Sequence, residues 1–147
     1  MPDDSYSSVL FNYRTPGPYR ISKFLSEHDY STEVLDYFLF FSDNQFRDIV
    51  SNRVEDGLKW IGVSYTWLTS ASDIVSSRLK WIKTTYPHLI IIIGGQNYGM
   101  FTDLNADYYL EGFSEKTLLQ ILDHHFRDGQ LPEHNIYFQS SKYIDAI

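Results

Sequence analysis

The side chains of this chain that could do chemistry are hydroxyls, amides and carboxylates gathered around glycines in a few short stretches. Gly94-Gly95 directly follows an apolar run, and residues without a Cβ let a backbone come close to a ligand. Within residues 64–69, Ser64, Thr66 and Thr69 supply hydroxyls beside the aromatic Tyr65 and Trp67. Residues 111–115 place a glycine between acidic side chains. These residue types suit the recognition of a polar ligand that also carries a flat ring.

Each stretch also has a purely structural explanation, and both explanations stay open at this point. Gly94-Gly95 suits a tight turn. Tyr65 and Trp67 suit a cover over the core, which is the commoner role of aromatic side chains. Ser114 suits the N-cap of a helix.

Several kinds of active site are excluded by what the chain lacks. It has no cysteine, which removes disulfides, thiolate nucleophiles and cysteine-ligated iron–sulfur clusters. Its 5 histidines are scattered, and the adjacent His124 and His125 point in different directions on a helix, which disfavours a shared metal ion. The chain contains no Gly-x-Ser-x-Gly elbow and no glycine-rich phosphate loop. We therefore predict no catalytic residue and no metal ligand in this chain.

The composition also limits the partners of the protein. The net charge is −7 and the basic residues form no cluster, so a phosphate backbone would be repelled. The longest apolar run, residues 89–93, is far too short to cross a bilayer, and the polar, acidic N-terminus is not a signal peptide. We expect a cytoplasmic protein that binds neither nucleic acid nor membrane.

Hydrophobic periodicity predicts that strands and helices alternate along the chain. Strands are predicted at residues 8–13, 31–37, 59–65, 89–93 and 107–110, with a further edge strand at 135–138. Helices are predicted at residues 19–28, from Ser42 or Asp43 to a stop at Gly57, at 71–86, from a Ser114 cap to 126, and briefly near 99–104.

This alternation predicts an α/β fold, namely a three-layer Rossmann-like (flavodoxin-like) domain with a five-stranded parallel sheet in the order 2-1-3-4-5. The domain is predicted to span residues 7–127, followed by a C-terminal extension or linker over residues 128–147. Ligands of such sheets bind at the carboxyl ends of the strands. The loops at residues 14–19, 64–70 and 94–99 are therefore expected around one site, flanked by residues 111–115.

Four segments, in a fixed order along the chain, resemble a particular protein family and not only a type of fold. They are residues 17–21 (GPYRI), 60–64 (WIGVS), 86–95 (YPHLIIIIGG) and 107–112 (DYYLEG), the last followed by Glu115. Together they resemble the N-terminal cobalamin-binding domain of cobalamin-dependent radical S-adenosylmethionine enzymes, over residues 7–126. The resemblance implies a Rossmann-like domain that holds a corrinoid, with its cobalt, against the carboxyl edge of the sheet.

The resemblance also implies a set of cofactor-binding residues in four loops. The loops after the third and fourth strands line the groove for the nucleotide tail of the cofactor, and the first and last loops flank that groove. The implied residues are Thr15, Pro16, Gly17, Tyr19, Ser64, Tyr65, Thr66, Trp67, Leu68, Gly94, Gly95, Gln96, Glu111, Gly112 and Glu115. The implied partner is a radical S-adenosylmethionine domain, in the same chain or in another.

The chain departs from the family pattern in two ways. Many cobalamin domains carry Asp-x-His-x-x-Gly after the first strand, with a histidine that ligates cobalt, whereas residues 12–17 here read NYRTPG. A bound cobalamin would then lack that lower ligand, as in many radical-enzyme members. The catalytic cysteines of the family lie in a downstream barrel, so this chain is either a fragment or a stand-alone relative without the catalytic part. Residues 142–147 resemble the start of the family's linker, which favours a fragment.

Two classes of protein with related folds but other ligands, flavodoxins and phospho-receiver domains, are each disfavoured by a pair of residues. A flavodoxin needs free amides after its first strand, and the prolines at residues 16 and 18 remove them. A phospho-receiver domain needs an aspartate at the end of the third strand, where Ser64 and Tyr65 stand. The function expected is thus a cobalamin-binding module, whose parent enzyme would resemble a radical S-adenosylmethionine methyltransferase. The alternative is an interaction or regulatory domain that keeps the fold without the ligand.

Overall fold

The helices and strands of this chain come from a computed structural model. It describes residues 16–36, 38–64, 72–94, 104–110, 115–132, 136–139 and 143–145. The chain divides into two compact units, residues 1–48 and residues 49–147. All the described strands belong to the second unit.

Helix α1 (Pro16–Ser26) is the main helix of the first unit. Pro16 stands at its first position, where a missing amide costs nothing. The helix ends in a Schellman motif, in which the Tyr30 amide donates to the Leu25 carbonyl at 2.9 Å and the Asp29 amide to the Ser26 carbonyl at 3.2 Å. Asp29 takes the left-handed conformation (φ 65°) that this motif requires.

The predicted strand over residues 31–37 is wrong for residues 31–36, which contain no strand. This segment lies alongside α1 through its side chains. The hydroxyls of Ser22 and Thr32 lie 2.5 Å apart, and the Tyr19 hydroxyl donates to the Asp36 carboxylate. Strand-forming residue types therefore did not decide the conformation here, because such preferences depend on an available partner strand.

A 3₁₀ helix (Phe38–Phe40) leads into helix α2 (Asp43–Glu55). Ser42 and Gln45 form a capping box, since the Ser42 amide donates to the Gln45 Oε1 at 2.9 Å and the Gln45 amide to the Ser42 Oγ at 3.1 Å. At the other end Gly57 adopts φ 99° in a second Schellman motif. The predicted start and stop of this helix are both confirmed.

The second unit contains one five-stranded sheet in the order β1-β2-β3-β4-β5. Strands β1 (Trp60–Ser64), β2 (Ile90–Gly94) and β3 (Tyr108–Leu110) are parallel. Strands β4 (Ile136–Gln139) and β5 (Tyr143–Asp145) add to β3 in antiparallel pairing. Helix α3 (Ser72–Thr85) connects β1 to β2, and helix α4 (Glu115–Phe126) follows β3.

The core of the second unit lies around β2 and β3. The side chains of residues 91–93 and 108–110 are all buried, which fits a central strand with a continuous apolar run. Helix α3 buries Val75, Leu79 and Ile82, and helix α4 buries Leu118, Ile121 and Leu122. Both helices thus pack an apolar stripe, as their periodicity predicts.

Helices α3 and α4 cover opposite faces of the sheet. Neighbouring residues of a strand point to opposite faces, and Tyr108 and Tyr109 are such neighbours. The Tyr108 hydroxyl lies 2.7 Å from His125 of α4. The Tyr109 hydroxyl meets residues 104–106, and Asn105 in that segment bonds to Ser76 of α3.

The structure confirms a mixed α/β fold with three parallel strands and four α-helices among the described residues. It does not confirm the predicted five-stranded parallel sheet in the order 2-1-3-4-5. Residues 8–13 lie outside the described residues, as do residues 99–103 of the predicted short helix. The predicted edge strand at 135–138 is β4, but β5 pairs beyond it, so β4 is not at the edge.

The described helices are all too short or too polar to cross a membrane.

Candidate functional site

The carboxyl ends of the three parallel strands lie side by side. Ser64, the last residue of β1, is the register partner of Gly94, the last residue of β2. Tyr109 is the partner of Ile93, so the end of β3 at Leu110 lies beside Gly94. Neighbouring strands are about 4.8 Å apart, so the chain leaves these three strands within about 10 Å along one edge. We call this edge of the sheet, ending at Ser64, Gly94 and Leu110, the carboxyl edge.

The structure brings together some of the predicted site residues and leaves others undescribed. Ser64 and Gly94 are adjacent and half-buried at the carboxyl edge, and Glu115 is the first residue of α4, five residues after Leu110. Pro16, Gly17 and Tyr19 lie in the first turns of α1, in the first unit. The remaining predicted residues lie outside the described residues: Thr15, Tyr65, Thr66, Trp67, Leu68, Gly95, Gln96, Glu111 and Gly112.

Acidic side chains occupy the first turns of the two helices that follow the edge. Asp73 is in the first turn of α3, and Glu115 is in the first turn of α4. A helix N-terminus carries partial positive charge, and these carboxylates offset it.

The segment that leads into β3 is held by two side chains that the sequence analysis did not single out. The fully buried Tyr109 hydroxyl accepts the amides of Leu104 at 2.8 Å and Ala106 at 3.4 Å. The Asn105 amide group donates to the carbonyl and the hydroxyl of Ser76 in α3, both at 3.0 Å. Asn105 has φ 67°, a conformation that asparagine tolerates better than most residues, and this is the one signal that the sequence carried.

The opposite edge of the sheet carries a group of polar contacts around Lys83 and Asp107. Lys83 of α3 bonds to the Asp107 carboxylate at 3.0 Å and to the Leu89 carbonyl at 2.8 Å, while the same carboxylate oxygen accepts the Ile91 amide at 2.8 Å. This group of contacts ties the amino ends of β2 and β3 to the end of α3. The contacts are satisfied within the protein, so the arrangement is structural.

Next to the contacts of Lys83 and Asp107, Tyr108 and His125 share a hydrogen bond of 2.7 Å. Burial raises the pKa of the Tyr108 phenol, and the neighbouring Asp107 carboxylate adds to that increase. Burial lowers the pKa of His125, as does His124, while Asp107 acts in the opposite direction. Both shifts favour the uncharged forms, so at neutral pH the hydrogen bond joins a protonated phenol to a neutral imidazole.

The donor groups at the carboxyl edge decide how a corrinoid could be held there. His88 precedes β2, and His124 and His125 end α4, so the described histidines of the second unit all lie toward the amino ends of the strands. The described part of the edge offers a hydroxyl and a carboxylate instead. These groups fit the amides and hydroxyls at the periphery of a corrinoid, and they do not supply an imidazole to cobalt. Among the described residues no group of three or more histidine, cysteine or acidic side chains could hold a metal ion.

Comparison with protein-family models, with curated proteins and with solved structures gives no significant match to this chain.

Proposed function

We propose that the second unit is part of a cobalamin-binding module, which holds a corrinoid at the carboxyl edge of its sheet. The observation that carries this proposal is the register pair of Ser64 and Gly94. It means that the hydroxyl-rich residues 65–68 and the glycine at residue 95 begin from adjacent points of two parallel strands. Ligands of open α/β sheets bind at such an edge.

In this proposal the sheet is Rossmann-like (flavodoxin-like), and β1, β2 and β3 take the places of its third, fourth and fifth strands, while residues 31–36 do not form its second strand. Ser64 and residues 65–68 would hold the nucleotide tail on one side, and Gly94, Gly95 and Gln96 on the other. Glu111, Gly112 and Glu115 would flank it. When bound, the corrinoid supplies a cobalt that can carry a methyl group.

The partner in this proposal is a radical S-adenosylmethionine domain, in the same chain or in another, working in the cytoplasm. The chain itself would bind and orient the cofactor, and the chemistry would belong to the partner. The described donors support a binding role for this chain, because the Ser64 hydroxyl and the Glu115 carboxylate would suit the amides and hydroxyls at the periphery of a corrinoid.

Titration with hydroxocobalamin tests the proposal. We expect a saturable change in the visible spectrum and co-elution of the corrinoid with the protein on gel filtration. Absence of both would contradict cobalamin binding and would favour the alternative of an interaction or regulatory domain that keeps the fold without the ligand.

Substitution at the double glycine tests the location of the site. Gly95→Val adds three carbon atoms where the backbone is proposed to approach the cofactor, so cobalamin affinity should fall at least about tenfold while the melting temperature changes little. Thr84→Val is the matched control, because Thr84 is exposed near the far end of α3. Equal cobalamin affinity for both variants, with equal changes in melting temperature, would place the cofactor elsewhere.

A further inference from the structure

Two chain segments that leave the carboxyl edge are joined again at their far ends. They start at Ser64 and Gly94, which are register partners in β1 and β2. One segment runs to Ser76 in α3, and the other runs to Asn105, just before β3. At that point the side-chain amide of Asn105 donates to the carbonyl and to the hydroxyl of Ser76, both at 3.0 Å. Strand pairing thus joins the starts of the two segments, and one side chain joins their ends.

The backbone that carries the Asn105 side chain is itself held in place. Leu104 and Ala106 are buried on either side of it, and their amides both donate to the hydroxyl of the buried Tyr109 in β3. Asn105 has φ 67°, a conformation that few residue types other than glycine adopt. A backbone that its surroundings hold in a sparsely populated conformation points to a role for the side chain that it carries.

The contact between Asn105 and Ser76 is a tertiary contact and not part of a local turn. The two residues are 29 positions apart in the chain, and both hydrogen bonds are part-buried. A contact that fixes the far ends of two segments removes conformations that each segment could otherwise adopt. A ligand that needs both segments in one arrangement then loses less free energy in ordering them.

We propose that Asn105 is a positioning residue for the site at the carboxyl edge. By holding Ser76 it fixes the far ends of the two segments, which keeps the residues that follow Ser64 and Gly94 in the arrangement that the cofactor needs. Asn105 acts through these segments and does not touch the cofactor. This inference rests on the proposed function, because it takes cobalamin as the ligand of that edge.

Hydrogen–deuterium exchange of the full chain without cofactor tests whether Asn105 joins the two segments. Asn105→Gly removes both hydrogen bonds and keeps the backbone conformation, because glycine adopts a positive φ without strain. We expect faster amide exchange in residues 65–76 as well as in residues 95–104. Asp128→Gly is the matched control, since Asp128 also has a positive φ (60°) but lies just beyond α4, and it should leave the exchange of both segments unchanged.

Titration with hydroxocobalamin then tests the effect of this contact on the site. Asn105→Gly should weaken cobalamin binding by about tenfold, the loss of two hydrogen bonds of ordinary net strength. Ser76→Ala removes only the hydroxyl acceptor and should weaken binding by about threefold, while its melting temperature stays the same or rises because alanine favours the helix. The double variant should bind cobalamin like Asn105→Gly alone, since the two changes break one contact.

The possible failures of this inference and of the proposed function can be told apart. If the natural protein binds hydroxocobalamin and Asn105→Gly binds it equally well, the positioning role alone is wrong. Faster exchange confined to residues 95–104, or losses of affinity that add up in the double variant, would also overturn it, because Asn105 would then not act through Ser76. A natural protein that binds no cobalamin contradicts the proposed function and the positioning role together.

Discussion

At the scale of single residues, one phenol holds much of the approach to β3. Tyr109 is fully buried, and its oxygen accepts two backbone amides from residues that are themselves buried. A buried amide without an acceptor costs a large part of its hydration free energy. The position of residues 104–106 therefore depends on the hydroxyl group of Tyr109, in addition to its ring.

We expect Tyr109→Phe to destabilise the protein by about 1–3 kcal/mol, because the Leu104 and Ala106 amides lose their acceptor while the ring still fills the core. Chemical denaturation measures this change. Tyr86→Phe is the control, since the Tyr86 hydroxyl bonds only a part-buried serine hydroxyl at 2.8 Å and should cost less. A larger loss in Tyr86→Phe would argue against the anchoring role of Tyr109.

His125, at the end of α4, makes the stability of the protein depend on pH. Burial and His124 hold the pKa of His125 below its ordinary 6.5, so near that pH the unfolded chain binds more protons than the folded one. The contribution of His125 to the free energy of unfolding is therefore complete above pH 6.5 and falls as the pH drops toward the lowered pKa. Urea unfolding at a series of pH values should show this fall in the natural protein and a smaller one in His125→Gln. The same pH dependence in both proteins would contradict the assignment.

Among the residues in the left-handed conformation, the glycine was predicted correctly and the other residue types were not. Gly57 ends α2 in the left-handed conformation, as predicted. Asp29, Asn105 and Asp128 adopt the same conformation. Acidic and amide residues visit it only in particular contexts, so their place in a turn could not be read from residue type alone.

At the scale of elements, the helices were predicted well because their ends carry local signals. Ser42 and Gln45 form their capping box within four residues of sequence, and no distant part of the chain is needed. The strand predicted over residues 31–37 had no such local determinant. A strand exists only when another strand pairs with it, and that partner is not encoded in the segment itself.

The capping box gives a prediction for α2. Ser42→Ala removes the side-chain acceptor of the Gln45 amide and should cost about 1 kcal/mol in the free energy of unfolding. Ser77→Ala, at an exposed position inside α3, should be neutral or slightly stabilising, because alanine is the better helix former. Equal losses in the two variants would show that the cap contributes nothing specific.

The end of α4 gives a second prediction at this scale. A Cβ at Gly129 would lie 3.0 Å from the Asp123 Cβ and 3.2 Å from its backbone carbon, so Gly129→Ala should force the chain away from the helix and destabilise the protein by roughly 1–3 kcal/mol. At Gly17, in the first turn of α1, a Cβ meets nothing within 4 Å, and Gly17→Ala should be neutral or stabilising. Comparing the two melting temperatures tests this, and a stable Gly129→Ala protein would contradict it.

At the scale of the whole molecule, the sequence analysis predicted the α/β class and the three parallel strands but not the full sheet. The run of isoleucines in β2 marks a strand buried on both faces, and such strands belong to parallel sheets. The antiparallel pairing of β4 and β5 follows from long-range contacts that periodicity does not report. For the candidate site, the sequence analysis could predict only that it lies at the carboxyl edge. That prediction needs no more than neighbouring parallel strands, such as those that pair Ser64 with Gly94.

The antiparallel hairpin of β4 and β5 fixes the direction of β5, the last described strand. Strand β5 starts at Tyr143, paired with Gln139, and finishes at Asp145, paired with Tyr137, so its direction matches that of β3. Asp145 consequently lies at the carboxyl edge of the sheet, the edge where Ser64, Gly94 and Leu110 lie. A bulky label attached at Asp145 would therefore lie near the proposed corrinoid site, so binding measurements call for a label placed elsewhere.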